Sequence, residues 1–218
     1  GKYLLNASYR RDGSSAFPNN YWNNFFSVGA AWEITKEDFM SNQKFFNFLK
    51  LKASIGTLGV QNTLGLAYPA FPAIRTANSA VFGSNLIPSY TRSYEPDRDL
   101  NWERIKAKEV GVEFVALNNR FSFEAAWFDR LTTDLLAFQS SPVTGTRLGN
   151  IGDVRNRGIE ATASWTQQFG KDQSLTISGN ITTLNNKVES LPSDGRLTSG
   201  EERPSVTEIG FPIGYFYG

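Results

Sequence analysis

Asp97, Asp99, Asn101 and Glu103 alternate with other residues, as the oxygen ligands of a calcium loop do. The position where such a loop needs glycine to turn is Trp102. The run therefore reads as a polar approach to a strand and not as a metal site. Asp129 and Asp134 have the chemistry of an acid and base pair, but nothing in the sequence brings them to a common substrate. They read as solvated loop charges. Gly56-Thr57-Leu58-Gly59 has the glycines of a phosphate loop without its lysine or its helix, and reads as a bend where a strand enters a long loop. Tyr21, Trp22, Tyr68, Phe71, Tyr90 and Tyr94 stand among Asn, Ser and Pro. Such rings can stack on a sugar, pack against a protein lid, pack loop on loop, or belong to an aromatic girdle. No residue is nominated as catalytic, cofactor-binding, metal-ligating or substrate-binding.

Composition narrows the chemistry further. The 218 residues include no histidine and no cysteine, so disulfide frameworks, thiol nucleophiles, His-based triads and the usual zinc ligand sets are absent. Twenty-two Lys and Arg balance 21 Asp and Glu without a long block of either sign, which argues against a nucleic-acid partner. Aromatics make up 14% of the chain, yet no run approaches the roughly 18 apolar residues of a spanning helix. Spanning by strands stays open. The chain starts directly in alternation, Gly1-Lys2-Tyr3-Leu4-Leu5, and ends within an aromatic run at Phe216-Tyr217-Gly218. An internal piece of a longer protein is expected.

The elements that must position these residues are strands. Period-2 alternation predicts seven, at residues 3–10, 25–34, 48–57, 104–116, 120–130, 158–167 and 174–184. Each has one apolar face and one small or polar face. A short helix is expected over 35–46, capped by Thr35 with Asp38 three residues on. Segments 11–24, 58–103 and 131–157, and everything after 184, read as long loops, alternating with the shorter connections 35–47, 117–119 and 168–173. In an up-and-down sheet that alternation puts all the long loops at one end, as in outer-membrane barrels.

A two-residue turn at Asn118-Asn119 predicts the register of its hairpin: Ala116 opposite Phe121, Phe114 opposite Phe123, Val112 opposite Ala125 and Val110 opposite Trp127. Lys108 then faces Asp129 where the apolar band ends. Glu113 faces Glu124, a like-charge contact that costs stability unless water or a cation is close. Tyr3, Trp32, Phe114, Phe121 and Trp165 gather at the short-turn ends, and Tyr9, Phe26 and Trp127 at the long-loop ends. Aromatics at both margins of an apolar band suit the two headgroup levels of a bilayer. A secreted β-sandwich or adhesin-like module with these rings in its core is the competing architecture, and a complete eight-stranded anchor barrel a third.

The run Pro96-Asp97-Arg98-Asp99-Leu100-Asn101-Trp102-Glu103, followed by Val110-Gly111-Val112-Glu113-Phe114 and Leu117-Asn118-Asn119-Arg120, resembles the barrel of SusC/RagA-type TonB-linked (TonB-dependent) outer membrane receptors. So do Thr133-Asp134-Leu135-Leu136, Asn150-Ile151-Gly152-Asp153-Val154-Arg155-Asn156-Arg157-Gly158-Ile159-Glu160 and the closing Gly210-Phe211-Pro212-Ile213-Gly214-Tyr215-Phe216-Tyr217-Gly218. Tyr9-Arg10-Arg11-Asp12-Gly13-Ser14-Ser15 and Phe26-Ser27-Val28-Gly29 also fit. The resemblance implies an all-β, antiparallel up-and-down transmembrane barrel of about 22 strands, with this chain supplying roughly seven or eight. It implies that residues 1–218 are part of a single barrel domain, with the plug domain and the C-terminal strands lying elsewhere. The implied activity is import of a glycan or peptide across the outer membrane of Bacteroidetes-type bacteria, with lumen and external loops guiding substrate. The implied partners are a SusD-like lipoprotein lid, the TonB complex through the missing plug segment, and the lipid bilayer. No enzymatic activity and no cofactor are implied.

Overall fold

Seven long strands form one antiparallel meander, each paired with its neighbours in chain order. They are β1 (Tyr3–Gly13), β2 (Trp22–Glu33), β3 (Phe46–Val60), β4 (Glu103–Ala116), β5 (Phe121–Thr133), β6 (Asp153–Phe169) and β7 (Gln173–Ser190). The computed structural model describes residues 1–76, 79–83, 85–141, 145–170, 172–191, 196–199 and 205–216. Lys171 of the expected 168–173 connection, and Tyr217 and Gly218 of the closing motif, lie outside the described residues.

All seven predicted strands exist, and most run past their expected ends, always further at the long-loop side. β7 reaches Ser190 and β6 starts at Asp153. Hydrophobic alternation stops where the apolar band stops, while backbone pairing continues through charged pairs such as Asp129 opposite Arg157. The strand extension also changes the loops. The connection from β1 to β2 shrinks to residues 14–21, shorter than the 34–45 connection at the other end, so the expected length alternation fails at this first pair and holds at the later ones. The segment 58–103 is also not all loop. β3 carries Gly56-Thr57-Leu58-Gly59 straight through to Val60, paired with Glu103, so no bend occurs there. Gly59 is needed because the Phe25 ring lies where its Cβ would be.

Small sheets occupy the loops. Ile74–Thr76 pairs with Tyr90–Arg92, and Ala80–Phe82 with Asn85–Ile87. Leu136–Ser141 pairs with Gly145–Asn150, which takes Glu95–Pro96 alongside in parallel. After β7, Arg196–Ser199, Ser205–Glu208 and Tyr215–Phe216 form a further sheet where loop was expected. Loop-like composition hides these pairs because each strand is too short to show a period.

The expected helix over 35–46 is absent. Two single 3₁₀ turns, Ile34–Lys36 and Asp38–Met40, are separated by Glu37 in an extended conformation. No side chain caps either turn. Thr35 Oγ1 instead accepts a hydrogen bond from the Leu49 amide at 3.3 Å. The carboxylate of Glu37 accepts hydrogen bonds from Tyr3 Oη at 2.7 Å, Trp32 Nε1 at 3.0 Å and Lys2 Nζ at 3.1 Å. Led by the Tyr3 hydroxyl, these donors hold the Glu37 pKa below its ordinary value. The competition from neighbouring strands overrides a weak local helix signal.

The β4–β5 hairpin has the predicted register throughout, from Ala116 opposite Phe121 to Lys108 opposite Asp129. Asn118 and Asn119 take left-handed φ values of 58° and 63°, as the turn requires. Leu117 does so too, at 58°, tied by its amide to the Phe45 carbonyl at 3.1 Å.

Candidate functional site: two sheet faces and a loop platform

The apolar face is lined by exposed large side chains, among them Leu5 at 82% and Ile181 at 64% exposure. At the short-turn end its aromatics meet in two groups. Tyr3 stacks on Trp32 with centroids 6.5 Å apart, and Phe46, Phe114, Phe121 and Trp165 follow at 5.5, 5.8 and 6.3 Å. Six residues along the strands, Tyr9 lies opposite Phe26, and Trp127 opposite Ile159, at the second level. Tyr9 Oη donates to Asn24 Oδ1 at 2.9 Å, its polar end pointing beyond the band. No helix among the described residues is long and apolar enough to cross a membrane. The strands carry the apolar surface.

The opposite face is polar and resolves the expected Glu113–Glu124 repulsion. The two residues do face each other. Lys50 Nζ reaches Glu113 Oε2 at 2.6 Å, and Lys52 pairs with Glu124 across two strand intervals. The neighbouring strand β3 thus supplies the cations. Three tall side chains on this face have glycine as a register partner: Asn6 opposite Gly29, Lys52 opposite Gly111 and Phe128 opposite Gly158. A Cβ at Gly158 would sit 2.7 Å from Phe128 Cζ and overlap the Thr183 carbonyl oxygen.

At the long-loop end, Phe17, Phe25, Tyr94, Leu100, Trp102, Leu136 and Leu148 form a buried apolar cluster. The Asp97 to Glu103 run knits it together. Asp97 pairs with Arg147 Nη2 at 2.9 Å, and its Oδ1 accepts from the Asp99 amide. Asn150 Oδ1 accepts from the Asn101 amide at 2.8 Å, while its Nδ2 donates to the carbonyls of Asn101 and Asp134. Trp102 Nε1 donates to the Asn20 carbonyl at 2.9 Å. Glu103, 5% exposed, accepts from the Leu136 amide at 2.9 Å and from Asn62 Nδ2 at 3.2 Å. Burial pushes the Glu103 carboxyl pKa up, against the pull of those two donors. These carboxylates bind loops to one another. Among the described residues no group of three or more His, Cys, Asp or Glu is placed to hold a metal ion.

The other singled-out residues separate. Asp129 is held by Arg155 Nη1 at 3.1 Å and Arg157 Nε at 3.0 Å from β6, although Lys108 is its register partner on β4. Asp134 sits at a left-handed φ of 61° and donates its amide to Asp153 Oδ1. They serve different contacts and form no acid and base pair. Tyr21, Trp22, Tyr68, Phe71 and Tyr90 are exposed. Tyr94 is not: it is 8% exposed, its hydroxyl donates to the Pro69 carbonyl at 3.0 Å, and it packs loop on loop. Trp22 belongs to β2 and lies under the Arg11 guanidinium, 4.9 Å from the ring centroid. Sequence reasoning missed Phe17, Asn20 and Asn150. Phe17 packs on Trp102, which also donates to the Asn20 carbonyl, and Asn150 ties Asp134 and Asn101 across 16 and 49 residues, beyond any local pattern.

Residues 1–212 match the family described as TonB dependent receptor-like, beta-barrel. The chain belongs to that family. This receptor barrel segment is 31% identical to a TonB-dependent receptor of Formosa agariphila over 100% of its own length and 20% of the relative's. It is 30% identical to the TonB-dependent receptor SusC of Bacteroides thetaiotaomicron over 97% of this chain and 21% of that one. Among solved structures it superposes on the RagAB peptide transporter with a TM-score of 0.81 at 26% identity, covering 96% of this chain and 23% of that chain. The RagAB peptide importer in its open-open state gives 0.82. The segment thus spans about a fifth of the curated relatives it matches. The relatives are receptors and not enzymes, and the family places the segment in an outer-membrane barrel wall.

Proposed function

We propose that this chain is part of a single barrel domain of about 22 strands, in a receptor that imports oligosaccharide or peptide across the outer membrane of a Bacteroidetes-type bacterium. The plug and the remaining strands belong to the rest of that receptor. The observation that carries this reading is the division of one seven-strand sheet into an outward face with aromatics at two levels and an inward face of ion pairs and glycine seats. One face suits lipid and the other suits water, a plug and a passing solute. RagAB is a peptide importer and SusC a TonB-dependent receptor; a lipoprotein lid and TonB-driven transport follow for this receptor by kinship. The exposed Tyr68, Phe71 and Tyr90, held over the sheet by the buried loop cluster, are the surfaces offered to lid or substrate.

The test is uptake by cells carrying the complete receptor. Growth on oligosaccharides or on peptides as sole carbon source should be lost on deleting the gene and restored by the wild type. Replacing Tyr68, Phe71 and Tyr90 together by Ala should impair uptake while surface abundance is kept. Normal growth of the deletion strain on both substrate classes would refute the import reading.

A further inference from the structure

We propose that the outward face of β4 to β7, just beyond the upper aromatic level, binds the phosphorylated headgroup of an outer-leaflet lipid. The site is read from three rows of register partners. Val110, Trp127 and Ile159 lie side by side at the aromatic level. The next row up holds Lys108, Asp129 and Arg157. The row above that contains Lys106 on β4, Arg155 on β6 and Lys187 on β7. Successive rows are two residues, about 7 Å, apart along the strands. Five cations thus sit on the lipid-facing side within two rows of the level where rings meet headgroups. Two carboxylates answer them. Asp129, whose side chain is 10% exposed, binds both arginines, and Glu189 Oε1 lies 2.9 Å from Arg155 Nε.

The carboxylates orient the arginines without neutralising the patch. Arg157 meets Asp129 through Nε and keeps 52% of its side-chain surface exposed. Lys106, Lys108 and Lys187 are exposed and make no ion pair with another described residue. A guanidinium held by one edge presents its other N–H groups as a fork, the geometry that suits phosphate oxygens, with flexible ammonium groups on either side. The lipid is favoured over a protein partner because the cations follow the aromatic level on the lipid-facing side, opposite to the face that carries Phe25 and Glu103 of the loop platform, and the apolar strip below takes the acyl chains. The proposal rests on the barrel reading of this face.

The experiment uses the complete receptor in zwitterionic nanodiscs, with native mass spectrometry reading retained lipid A, which carries phosphates, and its dephosphorylated form. The variant is Lys106→Gln, Lys108→Gln and Arg157→Gln together. At about fivefold per cation near a membrane surface, the three changes should weaken lipid A retention on the order of a hundredfold. The dephosphorylated form should bind the wild type as poorly as lipid A binds the variant, and Lys106→Arg with Lys108→Arg should keep binding. In parallel, Ile181→Cys, introduced into a receptor whose other cysteines, if any, are replaced by Ser, reports lipid access through a bilayer-confined thiol reagent. Failure of that thiol to label would overturn the barrel reading itself. Labelling of the Ile181→Cys receptor together with equal lipid A retention by wild type and the triple variant, or equal retention of both lipid forms, would overturn this proposal alone. So would displacement of the lipid by inorganic phosphate, or a copurifying polypeptide lost from the triple variant with lipid retention unchanged.

Discussion

Adjacent residues on β6 offer a sharp test of which face meets lipid. Ala163 lies on the apolar face, opposite Phe123 and Gly179, while Thr162 lies on the polar face, opposite Glu124 and Asn180. Along the strand Ala163 is two residues from Trp165 and four from Ile159, about 7 and 14 Å at strand rise. With the 35–45° tilt of such barrels, it sits roughly 5 Å inside the lower aromatic level and about 10 Å below the upper one. Arg at a bilayer midplane costs about 2–4 kcal/mol in these proteins, and reach to a headgroup level a few ångströms away favours the low end. Ala163→Arg should therefore destabilise the inserted receptor by about 2 kcal/mol, a shift of about thirtyfold in the folding constant. Thr162→Arg, one residue away, should cost within about 0.5 kcal/mol and can gain from Glu124 across the ladder. The assay is reversible urea unfolding of the complete receptor in liposomes, followed by tryptophan fluorescence and by heat-modifiable mobility on gels. Equal cost at both positions, or a larger cost at Thr162, would refute the assignment of the faces.

Other perturbations probe separate contacts. Glu103→Leu leaves the Leu136 amide without an acceptor and should cost about 1–3 kcal/mol, whereas Glu103→Gln keeps an acceptor and sheds a buried charge. Because burial raises the Glu103 pKa in the folded state, its contribution is greatest below the unfolded-state pKa and declines as pH rises through the folded one. Stability measured against pH should show that slope for wild type and lose it in the Gln variant. Gly158→Ala overlaps Phe128 and the Thr183 carbonyl oxygen and should cost about 1–3 kcal/mol in unfolding experiments, more than Gly179→Ala, where a Cβ meets nothing. Replacing Lys50 and Lys52 by Gln leaves Glu113 facing Glu124. The loss should be about 1 kcal/mol and shrink in high salt, and a salt-independent loss would point to packing instead. In detergent-free water the isolated segment should aggregate through its open edges and apolar face; a sharp reversible unfolding transition would contradict that.

Alternation in β1 to β7 and the Asn118-Asn119 turn determine the strands and one complete ladder, because side-chain period and turn geometry act over a few residues. Where hydrophobic alternation ends, the pattern stops reporting a strand that persists, so β6 and β7 are longer than the sequence suggests. The Thr35 segment failed for a different reason: its hydroxyl serves Leu49 and Glu37 serves three donors on other elements, so tertiary hydrogen bonds outweighed a weak cap.

The candidate site divides in the same way. Tyr68, Phe71 and Tyr90 stand exposed where polar loop composition puts them, but Tyr94 shares that composition and is buried, because the Pro69 carbonyl and the Phe138 ring come to it from other stretches of chain. By itself the sequence determined the two chemically distinct faces, the aromatic levels, the absence of histidine and thiol chemistry, and the family likeness. Only the tertiary structure decided which charges meet. Lys50 and Lys52 neutralise a glutamate pair on strands distant in sequence, Arg155 and Arg157 of β6 hold Asp129 in preference to its β4 register partner Lys108, and Glu103 closes the loop platform. Alternation is a property of one strand, whereas the partner of a charge depends on strands brought alongside from anywhere in the chain.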